Sequence, residues 1–360
     1  MTFQIKQRPI GDGHPVYLIA EISANHNHDY DKTVRLIDAA HAAGADAVKL
    51  QTYTADTLTI DCDKPHFKIQ QGTIWDGQTL HQLYADAAMP WDWQPKLKQH
   101  ADSIGIDLFS SPFDQTAVDF LQSLDVPAYK IASFEIVDTG LLAAVAQTGK
   151  PVIVSTGMAT LEEIQLAVET LGQHGCTQIC LLKCTSAYPA APESMNLATI
   201  AALKQQFSIP IGLSDHTLCH TAAITAVALG ACVIEKHITT RRSDGGPDSS
   251  FSLEPDEFAE LVRQVRTAEA AIGRVRFGPS ENDANNVAFR RSLFAVSDIK
   301  VGESFTPQNV RSIRPGNGLA PKHLPKVLTA TAAKPIPRGT PLSWDDIDAR
   351  DSVNPDIPEL

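Results

Sequence analysis

A chain of 360 residues that is 43% hydrophobic and 20% charged carries enough apolar material for a large core and is not a disordered polymer. Its 42 acidic residues outnumber its 30 basic ones, for a formal net charge of -12, which argues against nucleic acid or an anionic membrane as a partner. No apolar run approaches the ~20 residues that span a bilayer, residues 1–13 are too mixed and polar for a signal peptide, and six cysteines without a CxxC pair read as reduced core thiols, so a cytoplasmic location is expected.

Along the chain, short β-rich apolar runs alternate with helical patterns. Val16–Glu21 is the first run, and a helix over Asp31–Ala43 follows with Val34, Ile37, Ala40 and Ala43 at helical spacing. The second run is Ala47–Gln51. Residues 52–91 break the rhythm before a helix over Asp92–Ile104. Runs three to five are Asp107–Ser110, Ala128–Ile131 and Val152–Ser155, with helices over Asp114–Leu124, Asp138–Thr148 and from Thr160, where Glu163 completes a capping box. Runs six to eight are Ile179–Lys183, Ile209–Leu213 and Val233–His237, with helices over Ser194–Phe207, Leu218–Leu229 and Pro255–Ile272. Eight strand–helix pairs with right-handed crossovers predict an α/β fold of the TIM (β/α)8 barrel type; an open doubly wound sheet is the alternative. The expected divisions are a barrel over 1–277, a linker over 278–294, a small β-rich domain over 295–351 in which Pro and Gly punctuate short strands, and a tail over 352–360.

Polar residues collect at the carboxyl ends of these runs: Glu21, Lys49 and Gln51, Ser110 and Ser111, Lys130 with Ser133 and Glu135, Ser155 and Thr156, Lys183 and Thr185, Ser214 to His216, and Glu235 to His237. That end of a barrel is where active sites are built, because its loops vary without disturbing the core. Lys49, Lys130, Lys183 and Lys236 are candidates to converge on an anion, with hydroxyls and helix-start N–H groups completing a phosphate site; each alone could equally cap a strand. His216 and His237 end neighbouring strands and are candidates for one divalent metal, the other reading being two hydrogen-bonded imidazoles. Glu21 is either an acid–base group or a salt-bridge partner of a barrel lysine. Asn25, His26 and Asn27 are placed for a polar ligand or a local turn network. The 52–91 insertion reads as a functional loop whose Trp75, Trp91 and Trp93 offer faces for a sugar or pack the insertion down.

Taken in order, Ala20–Asn27, Gly44–Thr52, Phe109–Phe113, Lys130–Glu135, Ser155–Met158, Lys183–Pro189, Gly212–Thr217 and Glu235–His237 resemble the sialic acid synthase superfamily, most closely its pseudaminic acid synthase branch. Arg314-Pro315-Gly316-Asn317-Gly318 is similar to that family's antifreeze-like (SAF) domain. The resemblance implies condensation of phosphoenolpyruvate with an amino-sugar aldehyde and release of phosphate by C–O cleavage. It assigns Glu21, Lys49 and Lys130 to catalysis, and Lys49, Lys130, Ser133, Ser155, Thr185 and Ser214 to phosphoenolpyruvate. It turns Asn25, Gln51, Glu135, Tyr188, Asp248, Phe289 and Arg314 toward the sugar, and gives His216 and His237 to a divalent metal ion, Mn²⁺ or Mg²⁺. It further implies a domain-swapped homodimer in which Arg314 enters the partner's site.

Gln51–Asp61, Trp75-Asp76-Gly77 and Gly245–Ser249 are similar to the pseudaminic branch, whose substrate is 2,4-diacetamido-2,4,6-trideoxy-altrose. Glu21-Ile22-Ser23-Ala24, His28 and Lys183 depart from the pattern of sialic acid synthases proper, which use N-acetylmannosamine. The alternatives are N-acetylneuraminic or legionaminic acid synthesis, a pyruvate aldolase on the same barrel, and a non-catalytic glycan-binding protein.

Overall fold

The computed structural model describes residues 1–70, 72 and 75–348; the expected tail over 352–360 lies outside them. The chain divides into two compact units at Gly273/Arg274.

The first unit opens with an antiparallel hairpin, β1 (Thr2–Ile5) and β2 (Arg8–Gly11). Its Phe3, Ile5 and Ile10 are buried in the main core, while Lys6 and Arg8 pair with Asp107 and Asp46 at the amino ends of barrel strands. The hairpin therefore covers the face opposite the polar strand ends. Alternation of buried and exposed residues is present in Thr2–Ile5, but four residues are too short a window to stand out from a polar terminus.

Eight parallel strands then close a barrel: β3 (Tyr17–Glu21), β4 (Ala47–Thr52), β5 (Asp107–Pro112), β6 (Tyr129–Ile131), β7 (Val152–Ser155), β8 (Ile179–Cys184), β9 (Ile211–Asp215) and β10 (Val233–His237). They stand in sequence order, with β10 returning to β3, as right-handed βα units require. Helices separate them as the periodicity predicts. Thr160 and Glu163 make the expected reciprocal cap on the Leu161–Gln173 helix. The larger differences from the expected boundaries lie around β9. β9 starts at Ile211 and runs on to Asp215. The helices before and after β9 start late, at Thr199 and Thr221, because a tight turn at Pro192–Ser194 and a tethered loop after Asp215 occupy the residues before them. In the insertion, Ala55–Leu58 and Leu80–Ala87 are helical, the latter capped by Thr79 and Gln82.

In the second unit, β11 (Ser292–Ala295) pairs antiparallel with β12 (Val310–Ile313), and β13 (Thr331–Ala332) with β14 (Ile347–Asp348). Leu293, Ile299, Phe305, Val310, Val327, Ile336 and Leu342 form its own core. Ser292–Phe294 thus lies in a strand of this unit rather than in a linker. No described helix is long and apolar enough to cross a membrane.

Candidate active site

Strand parity decides which side chains enter the barrel. Successive residues of a strand face opposite sides, and the parallel register sets Glu21 beside both Lys49 and His237, and Glu235 beside Ser214. These interior residues form one buried cluster. Lys49 Nζ lies 2.6 Å from Glu21 Oε2 and 3.9 Å from Glu235 Oε1, and donates to Ser111 Oγ at 3.3 Å. Lys130 Nζ donates to Ser155 Oγ at 2.7 Å and stands 3.8 Å from the same Glu235 oxygen, which also accepts from Ser214 at 3.2 Å. Gln51 Nε2 donates to the other Glu21 oxygen at 3.1 Å.

Burial sets the electrostatics. It outweighs the pull of Lys49 and pushes the Glu21 carboxyl up to about 7. It acts against Lys49 too, but Glu21 and Glu235 overcome it and hold that ammonium above the ordinary lysine range. Lys130 is drawn below that range by burial, with Glu235 opposing. Lys49, Lys130 and Glu21 therefore form one buried, electrostatically linked cluster, and the two lysines with Ser111, Ser155 and Ser214 can receive an anion.

The other two lysines do not join them. Lys183 shares the face of Leu213, outside the barrel, and donates to Cys184 O at 2.7 Å and Thr185 Oγ1 at 3.1 Å. Lys236 lies between inward Glu235 and His237 and so points outward, 2.7 Å from Asp215 Oδ2. The expected convergence of four lysines is corrected to two, and Asp215 points outward with Lys236.

His216 and His237 do meet, with ring centroids 5.4 Å apart. His216 Nδ1 is 3.0 Å from the Thr185 carbonyl, which can only accept, so Nδ1 carries a proton and Nε2 is the ring nitrogen not committed to that carbonyl. Burial first, and then His216, hold His237 well below the ordinary imidazole range, and its buried Nδ1 has no hydrogen-bond partner. Burial acts against a charge on His216 too, but the Cys184 thiol and the Thr185 carbonyl overcome it and hold that imidazole above its ordinary range. The two facing rings, with His237 Nδ1 unpartnered, are a donor set that fits a divalent cation. Among the described residues no three His, Cys, Asp or Glu side chains form a preformed cage, so a cation held here would keep positions for water or substrate.

Around this centre, Tyr188 packs against His216 at 4.4 Å, Phe251 at 5.1 Å and Trp75 of the insertion at 5.9 Å. Trp91 and Trp93 do not join them: Trp91 stacks on Phe120, and Trp93 packs edge-on to His26 and Tyr30. Asp248 accepts from the Ser23 hydroxyl and from Ala24 N–H at 3.3 Å, and burial pushes its carboxyl up to about 6. Asn25 spends both amide protons on Ile238 O and Ser252 Oγ, each at 2.8 Å, so its amide nitrogen is scaffold. Ser133 Oγ accepts from Gly157 N–H at 3.1 Å. One Glu135 carboxylate oxygen is buried without a partner, and burial pushes that group up to about 7. Phe289 and Arg314 belong to the second unit, where both are exposed and Gly316 N–H donates to Ala288 O at 2.9 Å, joining their loops.

Two residues without a role in the sequence reading stand inside the site. Glu235 is the carboxylate between both lysines, and counting parity back from His237 would have turned it inward. Phe251 lies 5.0 Å from the His237 ring; it sits in a loop after β10, where no periodic signal marks it.

The chain is 45% identical to a pseudaminic acid synthase of Campylobacter jejuni over 331 residues, 92% of this chain and 96% of that one. It is 41% identical to a pseudaminic acid synthase of Helicobacter pylori over 93% of this chain and 98% of that one. Among solved structures, an N-acetylneuraminic acid synthetase of Leptospira borgpetersenii superposes with a TM-score of 0.71 at 31% identity, covering 80% of this chain and 95% of that one. Residues 290–348 match the SAF domain. Residues 36–276 match the NeuB family profile, and the chain belongs to the NeuB family.

Proposed function

We propose that this protein is a pseudaminic acid synthase, a transferase that condenses phosphoenolpyruvate with 2,4-diacetamido-2,4,6-trideoxy-altrose. The observation that carries the reading is the buried Lys49–Glu21–Glu235–Lys130 cluster with the facing His216 and His237 rings, in a chain 41–45% identical to proteins of that name.

Phosphoenolpyruvate brings a phosphate and a carboxylate, and Lys49 and Lys130 with Ser133, Ser155, Thr185 and Ser214 are the donors for them. Its C3 carbon forms the new bond to the aldehyde carbon, whose oxygen gains a proton. Water adds at C2 and loses a proton, and the C2–O bond to the phosphate then breaks. Glu21, held near neutrality and 2.6 Å from Lys49, is suited to move these protons. His216 and His237 would hold Mn²⁺ or Mg²⁺, which when bound supplies Lewis acidity to the aldehyde oxygen. Gln51, Glu135, Tyr188 and Asp248 provide hydrogen bonds and an aromatic face for the sugar. Arg314 and Phe289 act on the sugar from a partner subunit's small domain, which makes a homodimer the working unit, and the reaction belongs in the cytoplasm.

The test is phosphate release from phosphoenolpyruvate with Mn²⁺, with the diacetamido-trideoxy-altrose and N-acetylmannosamine offered in parallel and a chelator control. Release with the altrose sugar alone, abolished by chelator, is expected. Release with N-acetylmannosamine instead would move the chain to sialic acid synthesis, and turnover without phosphate release would overturn the condensation.

A further inference from the structure

The outward-facing Lys236–Asp215 pair has a geometry that bulk stabilisation does not explain. Both side chains are essentially buried, Lys236 at 1% and Asp215 at 0% exposed. They lie in register on neighbouring strands, in the largely apolar layer between barrel and helices. A buried ion pair in such a layer is often no more stabilising than two apolar side chains of the same size.

What the pair does is tie backbone. One Asp215 oxygen accepts from Lys236, and the other accepts from Thr217 N–H at 2.9 Å. The Lys236 ammonium also donates to the carbonyl of Thr217 and, at 3.4 Å, to that of Cys219. The loop that leaves β9 is thus gripped on both sides of His216, at Asp215 and at Thr217. The lysine that grips it immediately precedes His237. Each imidazole is one peptide unit from a clamp point, and both points belong to the same ion pair.

We propose that Lys236 and Asp215 are positioning residues that set the separation and aim of His216 and His237 from outside the barrel. This rests on the reading of the two histidines as metal ligands. A group that aligns ligands without touching the metal changes affinity by about 10- to 100-fold when removed.

The experiment is calorimetric titration of Mn²⁺ into the purified full-length protein, with thermal unfolding followed in parallel. The double variant Asp215→Asn/Lys236→Met removes both charges and leaves neither stranded. It should keep a cooperative unfolding transition and bind Mn²⁺ at least about 10-fold more weakly than the wild type. If the double variant does not fold, Lys236→Arg takes its place: it keeps the charge but cannot reproduce the carbonyl contacts, and it too should bind more weakly. Wild-type affinity in whichever variant folds would overturn the clamp. His237→Ala, titrated beside them, separates the two ideas. If it loses Mn²⁺ affinity while the clamp variants keep theirs, the clamp alone fails. If His237→Ala also binds as the wild type does, the metal reading fails and the clamp with it.

Discussion

Glu21 shows how one residue's environment sets its chemistry. An exposed glutamate would be a spectator anion at neutral pH. Here burial lifts the carboxyl to about 7 against the pull of Lys49, so both protonation states are accessible where the enzyme works. Glu21→Gln keeps the size and the contact with Gln51 and should lower kcat by about 10²- to 10⁴-fold, with the fold unchanged by circular dichroism. Near-normal turnover would remove Glu21 from the proton transfers. Glu135 carries the same kind of strain without a counter-ion at its buried oxygen. Its carboxyl is raised in the folded state, so folding takes up a proton between the ordinary carboxylate range and about 7. Its ionisation therefore costs nothing at pH 4 and costs most above pH 7. Glu135→Gln should stabilise the protein by about 1–3 kcal/mol at pH 8 and by nearly nothing at pH 4 in denaturant titrations. A gain that is the same at both pH values would mean that the glutamine acts through something other than charge. If Glu135 also holds the sugar, the stabilised variant will turn over more slowly, since a site that needs a buried charge gives up stability for it.

At the scale of elements, the site depends on how closely neighbouring βα loops approach. Gly157, in the loop after β7, is one such approach. A Cβ there would lie 2.3 Å from Ser186 Oγ and 2.7 Å from Ser133 Oγ. Gly157→Ala should therefore push Ser133 out of place, raising the KM for phosphoenolpyruvate by about 10-fold and destabilising by about 1–3 kcal/mol. An unchanged KM would show that Ser133 does not bind that substrate. The insertion is held down in the same local way. His26, buried at the first βα loop, lies with Nε2 3.2 Å from Ala87 O, and its Nδ1 accepts the His28 N–H at 3.0 Å. These bonds fix the base of the 52–91 loop, whose Trp75 reaches the Tyr188 ring.

At the scale of the whole molecule, the proposed function gives Arg314 of the second unit a role at the sugar of a partner subunit. Arg314→Ala should raise the KM for the sugar more than that for phosphoenolpyruvate, and sedimentation of the wild type should give a dimer. Equal effects on the two KM values would make Arg314 structural, and a fully active monomer would exclude donation of Arg314 from a partner.

The sequence by itself determined the order of elements, the closed barrel and the end of it at which polar residues gather. Those follow from local periodicity, from the hydrophobic runs, and from the rule that parallel βα units wind one way. It also carried enough ordered motif to identify the family. The tertiary structure decided which residues of that polar ring face each other. Lys49 and Lys130 turn inward, while Lys183 and Lys236 turn outward, because a strand shows alternate residues to alternate faces and its registry with neighbours is set only when the barrel closes. Closure likewise made Glu235 the shared partner of two lysines and brought the His216 and His237 rings to 5.4 Å. These pairings link residues far apart in the chain, and no local pattern encodes a distance across a barrel.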